Sequence, residues 1–154
     1  MDVQGLTRRI VAGEVRASEP LGGAGHLRHV DVLKADEEEI LTYTGCATVE
    51  EAVARVRAAG AREVLITRGS RGSMVFADGD AIAVDAVPPR RLADATGCGD
   101  TYLAAYMIRR MTGADRAACA GFASAAAALN IETLGAFRGS AADIAARRAA
   151  DEAR

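Results

Sequence analysis

The 154-residue chain has no tryptophan and only 4% aromatic residues, which weakens any function that needs a row of base-stacking side chains. Charge of either sign is also missing in excess: 19 basic against 21 acidic residues leave a formal charge of −2. That balance supplies no net pull toward nucleic acid or an anionic membrane, and neither partner is expected. Cysteine is scarce. Cys46, Cys98 and Cys119 are odd in number, widely spaced and form no C-x-x-C pair, so neither a disulfide framework nor a zinc site is indicated and a reducing, cytoplasmic compartment is expected. No apolar run approaches the ~20 residues that cross a bilayer. No N-terminal stretch combines a basic start, an apolar core and a small-residue cleavage site, so secretion is not expected. The longest candidate, Ala117 to Ile131, is alanine-rich and interrupted by Ser124 and Asn130, which suits a buried helix.

What is present, 50% hydrophobic and 26% charged residues, is the balance of one soluble globular domain over residues 1–154. A chain of this length buries roughly two thirds of its unfolded surface without disulfides or metal. The first 27 residues carry Gly13, Pro20, Gly22, Gly23 and Gly25 and are expected to form a loop-rich start. His29 to Leu33 alternates as a short strand and leads into Lys34-Ala35-Asp36-Glu37-Glu38-Glu39, whose acids suit the positive end of a helix. Thr48-Val49-Glu50-Glu51 has capping-box spacing, and Val53, Val56 and Ala59 continue a helical stripe to Gly60. Glu63 to Thr67 reads as a buried strand, followed by the glycine turn Arg68-Gly69-Ser70-Arg71-Gly72. Ser73 to Ala77 and Ala81 to Ala86, on either side of Asp78-Gly79-Asp80, predict a hairpin. Helices are predicted from the Asp100 region to Gly113, over Ala114 to Asn130, and over Ala141 to Ala153 with a basic side. Strands alternating with helices predict an α/β layered sheet.

The stretch richest in chemistry is Asp94-Ala95-Thr96-Gly97-Cys98-Gly99-Asp100 with a helix directly behind it. Gly97 and Gly99 let the backbone turn sharply, and amides at a helix N-terminus favour an anion in front of them. Asp100 in the first turn could accept a proton from a hydroxyl approaching a phosphoryl group; it could equally cap the helix.

Asp94 to Thr101 resembles the D-T-x-G-A-G-D-x-F signature of the ribokinase, or PfkB, family of sugar and nucleoside kinases. Lys34 to Glu39 is similar to that family's K-x-N-x-x-E segment, Thr67 to Gly72 to its T-x-G-x-x-G loop, and Phe122 to Gly135 to its alanine-rich helix and following loop. Three ordered motifs are far more specific than one glycine pattern. The resemblance implies a ribokinase-like layered sheet with flanking helices, and ATP-dependent phosphorylation of an alcohol group on a sugar, nucleoside or related polyol. It makes Asp100 the general base and the backbone around Gly97, Cys98 and Gly99 the hole that holds the transferring phosphoryl group. Asp36 and Glu39 would lie near magnesium and the phosphates, Glu39 acting through water. Thr67, Gly69, Gly72 and Ser124 would bind the nucleotide. Asp94, with carbonyls near Leu134 and Gly135, would serve a potassium-like site.

This sequence departs from the family in places. Asp36 stands where Asn is usual, adding negative charge near the phosphates. Cys98 replaces Ala, with no histidine base nearby in sequence to make it a nucleophile, and Tyr102 stands in for Phe. The family's early glycine pair, most sugar contacts and β-sheet lid are not recognisable, while Asp2-Val3-Gln4-Gly5 resembles a mid-chain strand end. The implied object is the C-terminal half of the fold, with an exposed sheet edge that invites a homo-oligomer or a complementing chain. A non-catalytic nucleotide-binding or assembly module is the rival expectation. Weaker signals favour ordinary structure: Gly22-Gly23-Ala24-Gly25 as a flexible loop, His26 and His29 without a metal, Thr42 to Thr44 as a helix end, and Arg8-Arg9, Arg90-Arg91, Arg109-Arg110 and Arg147-Arg148 as solvated faces. Arg68 or Arg71 could instead meet phosphate. No G-x-x-x-x-G-K-[ST] loop occurs.

Overall fold

The computed structural model describes residues 1–17 and 24–152. The chain divides into two compact units, Met1–Arg68 with Met74–Ala81, and Gly69–Ser73 with Ile82–Arg154. In chain order the elements are β1 (Arg8–Val11), β2 (Glu14–Ala17), β3 (Val32–Asp36), α1 (Glu37–Thr44), α2 (Val49–Ala58), β4 (Glu63–Thr67), β5 (Ser73–Ala77), β6 (Asp80–Val84), α3 (Cys98–Met111), α4 (Arg116–Ile131) and α5 (Ala141–Glu152). A four-stranded sheet runs in the order β3-β4-β5-β6, with β1 and β2 forming a separate pair. This is the mixed α/β architecture expected, a sheet with flanking helices.

In the first unit β3 and β4 are parallel, paired from Val32↔Glu63 to Asp36↔Thr67. Leu33, Ala35, Val64 and Ile66 of these strands join Ile40, Ala52, Val53 and Val56 of α1 and α2 in one core. The expected strand at His29 to Leu33 lies three residues too early, because Ala24–His29 winds into a 3-10 helix. The alternation that suggested it belongs to half-buried strands, whereas a parallel strand is covered on both faces. Lys34 disguises this one: it is 4% exposed in the middle of β3. Its ammonium lies 3.0 Å from Asp2 and 3.6 Å from Glu39. Part of the outer edge of β3 is occupied by the first residues, with Lys34 N–H donating to Met1 O at 2.8 Å and Val3 N–H to Lys34 O at 3.1 Å.

The loop-rich start is also corrected: β1 and β2 form an antiparallel hairpin in the register Arg8↔Ala17 to Val11↔Glu14. Its two turn residues, Ala12 and Gly13, both have positive φ, 54° and 84°. Ala12 hid the turn because alanine rarely takes that conformation. The glycine loop at Gly22 and Gly23 lies outside the described residues. The other turn obeys its sequence, with Asp78 and Gly79 at φ 52° and 94° between β5 and β6.

Helix caps follow the sequence with one transposition. Thr48 caps α2 by accepting from Glu51 N–H at 3.3 Å, but the Glu51 carboxylate accepts from Ala47 N–H and leaves that box unclosed. The reciprocal box sits at α1, between Asp36 and Glu39. In the second unit Asp115 is the N-cap of α4 and accepts from Ala118 N–H at 2.8 Å. Nine residues of α4 are buried, five of them alanine, so close helix packing accounts for the alanine bias. Tyr102 and Tyr106 of α3 stack with ring centres 6.5 Å apart. The basic side of α5 is not wholly solvated as expected. Arg147 is 7% exposed, pairs with Glu132 at 3.2 Å and donates to Pro88 O. Nor is Tyr43 an ordinary helix-end residue, being buried with its hydroxyl 2.9 Å from His26 Nε2.

Candidate functional site

In parallel sheets, ligands gather beyond the C-terminal ends of the strands, where the next helices begin. In the first unit that edge carries Asp36 and Thr67, which are direct neighbours in register. Asp36 ends β3 and caps α1: its Oδ1 accepts from Glu39 N–H at 2.7 Å. Glu39 answers through Oε2, which accepts from Asp36 N–H at 2.8 Å. Glu39 is 6% exposed and faces the Lys34 ammonium, whereas Asp36 is half-buried. Asp36 is therefore the more accessible of the two carboxylates, and Glu39 is tied into the fold. Thr67 Oγ1 donates across the pair to Ala35 O at 3.4 Å. Among the described residues no group of three His, Cys, Asp or Glu side chains is placed to hold a metal ion. Magnesium keeps several waters and takes one or two protein carboxylates alongside phosphate, so Asp36 suits it and Glu39 suits an indirect role.

In the second unit Gly97 is the N-cap of α3 at φ 76°, left-handed, and has no side chain to close the helix end. Cys98 N–H donates to Ala95 O at 3.2 Å and Thr101 N–H to Gly97 O at 2.9 Å. Among the described residues the amides between them, Gly99 and Asp100, have no acceptor. Two uncapped amides at the positive end of a helix are donors free to meet an anion. Asp100 is exposed beside them, in the first turn and not at the cap, so it does not act as the helix N-cap. It borders an apolar cleft of about 390 Å³ that runs along α3 past Ile108 to Phe137 and Ile144.

The approach to this loop is held by its own donors. Asp94 Oδ1 accepts from Thr96 N–H at 2.9 Å. The Thr96 amide and hydroxyl, with a weaker contribution from Gly135 N–H, hold the Asp94 carboxyl below its ordinary range against some desolvation. Asp94 thus meets Gly135 through the Gly135 amide, whereas carbonyls near Leu134 and Gly135 are the groups expected beside it at a cation site. Ser124, expected at the nucleotide, is 8% exposed and accepts from Val87 N–H at 2.8 Å while donating to Asp85 O at 3.2 Å. Its hydroxyl fastens α4 to the segment after β6.

The turn Gly69–Arg71 is one 3-10 turn with Gly72 N–H closing on Gly69 O at 3.1 Å. The two glycines differ. Gly69, at φ 58°, has open space where a Cβ would stand, whereas a Cβ on Gly72 would lie 2.1 Å from Val84 O. Sequence reasoning missed Asn130, Glu132 and Arg147, which tie the end of α4 and the middle of α5 to residues 88–98. The signal for Asn130 is a polar amide in a mostly apolar helix, which the sequence alone shows only as an interruption.

Residues 18–142 match the family model described as pfkB family carbohydrate kinase. The chain is 34% identical over 117 residues to a ribokinase of Arabidopsis thaliana, covering 72% of this chain and 31% of that protein. A nucleoside kinase of Methanothermobacter thermautotrophicus is 36% identical over 105 residues, covering 68% and 33%. The solved structure of Arabidopsis thaliana ribokinase complexed with ribose and ATP superposes with a TM-score of 0.77 at 30% identity, covering 82% of this chain and 43% of that one. The chain thus spans about a third of the length of these curated relatives.

Proposed function

The chain belongs to the pfkB family of carbohydrate kinases, and from that premise we propose that it carries the phosphoryl-transfer half of an ATP-dependent kinase acting on an alcohol group of a sugar, nucleoside or related polyol. The observation that carries this reading is the pair of unbonded amides, Gly99 and Asp100, beside the exposed Asp100 carboxylate at an uncapped helix start. In the proposed step the Asp100 carboxylate takes the proton of the acceptor hydroxyl as its oxygen bonds to the γ-phosphorus. The bond to the oxygen of the leaving ADP breaks, and the two amides hold the charge on the equatorial phosphoryl oxygens. Gly97 and Cys98 shape this turn, the Cys98 amide closing it on Ala95.

Asp36 is the proposed magnesium ligand, with Glu39 orienting it through the reciprocal cap. Bound magnesium would neutralise phosphate charge. Thr67, Gly69 and Gly72 are proposed at the nucleotide, Gly72 by letting the backbone of residues 84–86 approach. Ser124 is proposed to act there indirectly, by holding residues 85–87. Asp94, kept ionised by its donors, is proposed for a monovalent cation such as potassium, and all of these residues are proposed to serve a single partial domain over 1–154. No described helix is long and apolar enough to cross a membrane; a cytoplasmic location is part of the proposal. A second reading, a nucleotide-binding or assembly module completed by another chain or a second copy, is favoured by the exposure of Ile108 and Met111 on α3, 60% and 82%.

The test is phosphate transfer from MgATP to a panel of sugars and nucleosides. Asp100→Asn should lower the rate about 10²- to 10⁴-fold, the usual worth of a general base, with ATP affinity little changed. Turnover of Asp100→Asn at the parent rate would refute the assignment of the base.

A further inference from the structure

Asn130 lies in the last turn of α4 and is 1% exposed, surrounded in sequence by alanine and other apolar residues. Its Nδ2 donates to Thr96 O at 3.0 Å and to Cys98 Sγ at 3.3 Å. Two acceptors on one nitrogen fix which way the amide points. The other end, Oδ1, is buried and has no hydrogen-bond partner among the described residues. A buried amide oxygen without a donor costs stability, whereas alanine, which fills half of this helix, would bury no unpaired amide oxygen and would release only Thr96 O and Cys98 Sγ. Stability therefore does not explain an asparagine here; the grip of its Nδ2 does.

That grip is complementary to a second one from the neighbouring residue. Ile131 O accepts from Ala93 N–H at 2.8 Å and Asp94 N–H at 3.2 Å, holding the beginning of the loop, while Asn130 holds its end on both sides of Gly97. Gly97 is left-handed, and the turn behind it is closed by the long Cys98 N–H bond to Ala95 O, 3.2 Å, and the Thr96 N–H bond to Asp94 Oδ1, with a weak Cys98 Sγ contact to Ala127 O at 3.8 Å. Without an outside anchor, this glycine-centred turn has little to hold the directions of the Gly99 and Asp100 amides.

We infer that Asn130 is a positioning residue for phosphoryl transfer: from the end of α4 it pins Thr96 and Cys98 and so aims the two open amides of α3. The inference rests on the reading of those amides as the phosphoryl-holding position, and its first test does not. Hydrogen exchange in Asn130→Ala should rise about tenfold at the Thr96 and Cys98 amides, whose own bonds to Asp94 Oδ1 and Ala95 O open more often once Asn130 no longer holds Thr96 O and Cys98 Sγ, while Ala93 and Asp94, held by Ile131, stay at parent rates. A merely structural role would raise all four together. The same pattern is expected for Asn130→Asp, which keeps the shape but lacks the donors. Cys98→Ala, which leaves the Thr96 bond, should have the smaller effect.

The second test compares affinity for MgADP alone with affinity for MgADP plus aluminium fluoride, a mimic of the transferring phosphoryl group. Asn130→Ala should weaken the fluoride complex about tenfold and leave MgADP affinity within a factor of two or so. Unchanged exchange at Thr96 and Cys98 would overturn the inference, as would equal loss of both affinities. Parent protein that shows the exchange pattern but binds no fluoride complex would instead overturn the phosphoryl-transfer reading, and with it the role given to the pinned loop.

Discussion

Substituting alanine at Gly72 and, separately, at Gly69 should separate space from backbone conformation within a single turn. Both glycines are left-handed, at φ 80° and 58°, so each substitution carries about 1–2 kcal/mol for an L side chain there. Only Gly72 meets an obstacle. Its added Cβ would stand 2.1 Å from Val84 O, 2.9 Å from Ala86 N and 3.0 Å from the Asp85 carbonyl carbon, all backbone, while Gly69 has nothing within 4 Å. Forcing that backbone aside adds about 1–3 kcal/mol, by analogy with overpacked cores. Gly72→Ala should therefore cost about 2–5 kcal/mol, lowering the melting temperature by about 5–20 °C for a chain of this size. Gly69→Ala should stay near the conformational cost alone. Urea unfolding followed by circular dichroism, with unchanged m-values, measures both. Equal destabilisation by the two substitutions would refute the close approach of residues 84–86 and leave Gly72 as a purely conformational or ligand-contacting glycine.

Arg147→Ala should destabilise by about 3 kcal/mol, because it leaves the Glu132 carboxylate partly buried without its cation, and Arg147→Lys should recover little since the planar fork also reaches Pro88 O. Arg62→Ala, at the exposed pair with Asp31, should cost less than about 1 kcal/mol in the same melts. Burial raises the Tyr102 phenol to about 12, against a smaller opposing effect of its hydrogen bond with Ser73. Since the folded chain holds this proton more tightly than the unfolded one, stability should fall as pH rises from about 10 toward 12. Tyr102→Phe should flatten that part of the profile, measured by unfolding across alkaline pH; an unaltered slope would show that Tyr102 is not the group responsible.

Much of the fold was legible because its signals are local. Glu63–Thr67, Asp78-Gly79 and the start of α2 each carry the apolar run, turn pair or cap that short-range physics demands. The misplaced β3 and the unforeseen β1–β2 hairpin fail for the opposite reason. A buried Lys34 is tolerable only because Asp2 and Glu39 are brought to it by the fold, and Ala12 adopts a turn that its side chain does not announce. The site divides in the same way. Gly97, Gly99 and Asp100 were legible from glycine spacing and an acid in a first turn. What holds them was not: Asn130 reaches back 34 residues to Thr96. The competing demands on Glu39 and Ser124, one tied to Lys34 and Asp36 and the other to Asp85 and Val87, likewise exist only once the chain has folded.

The most direct measurement is a titration of the isotope-labelled chain with MgATP, followed through its backbone amide resonances. If the start of α3 holds phosphate, the Gly99 and Asp100 amides should shift downfield and saturate together, with those of Ala93 and Asp94 moving little. A saturable response elsewhere that leaves Gly99 and Asp100 unmoved would contradict the phosphoryl-holding role of this loop.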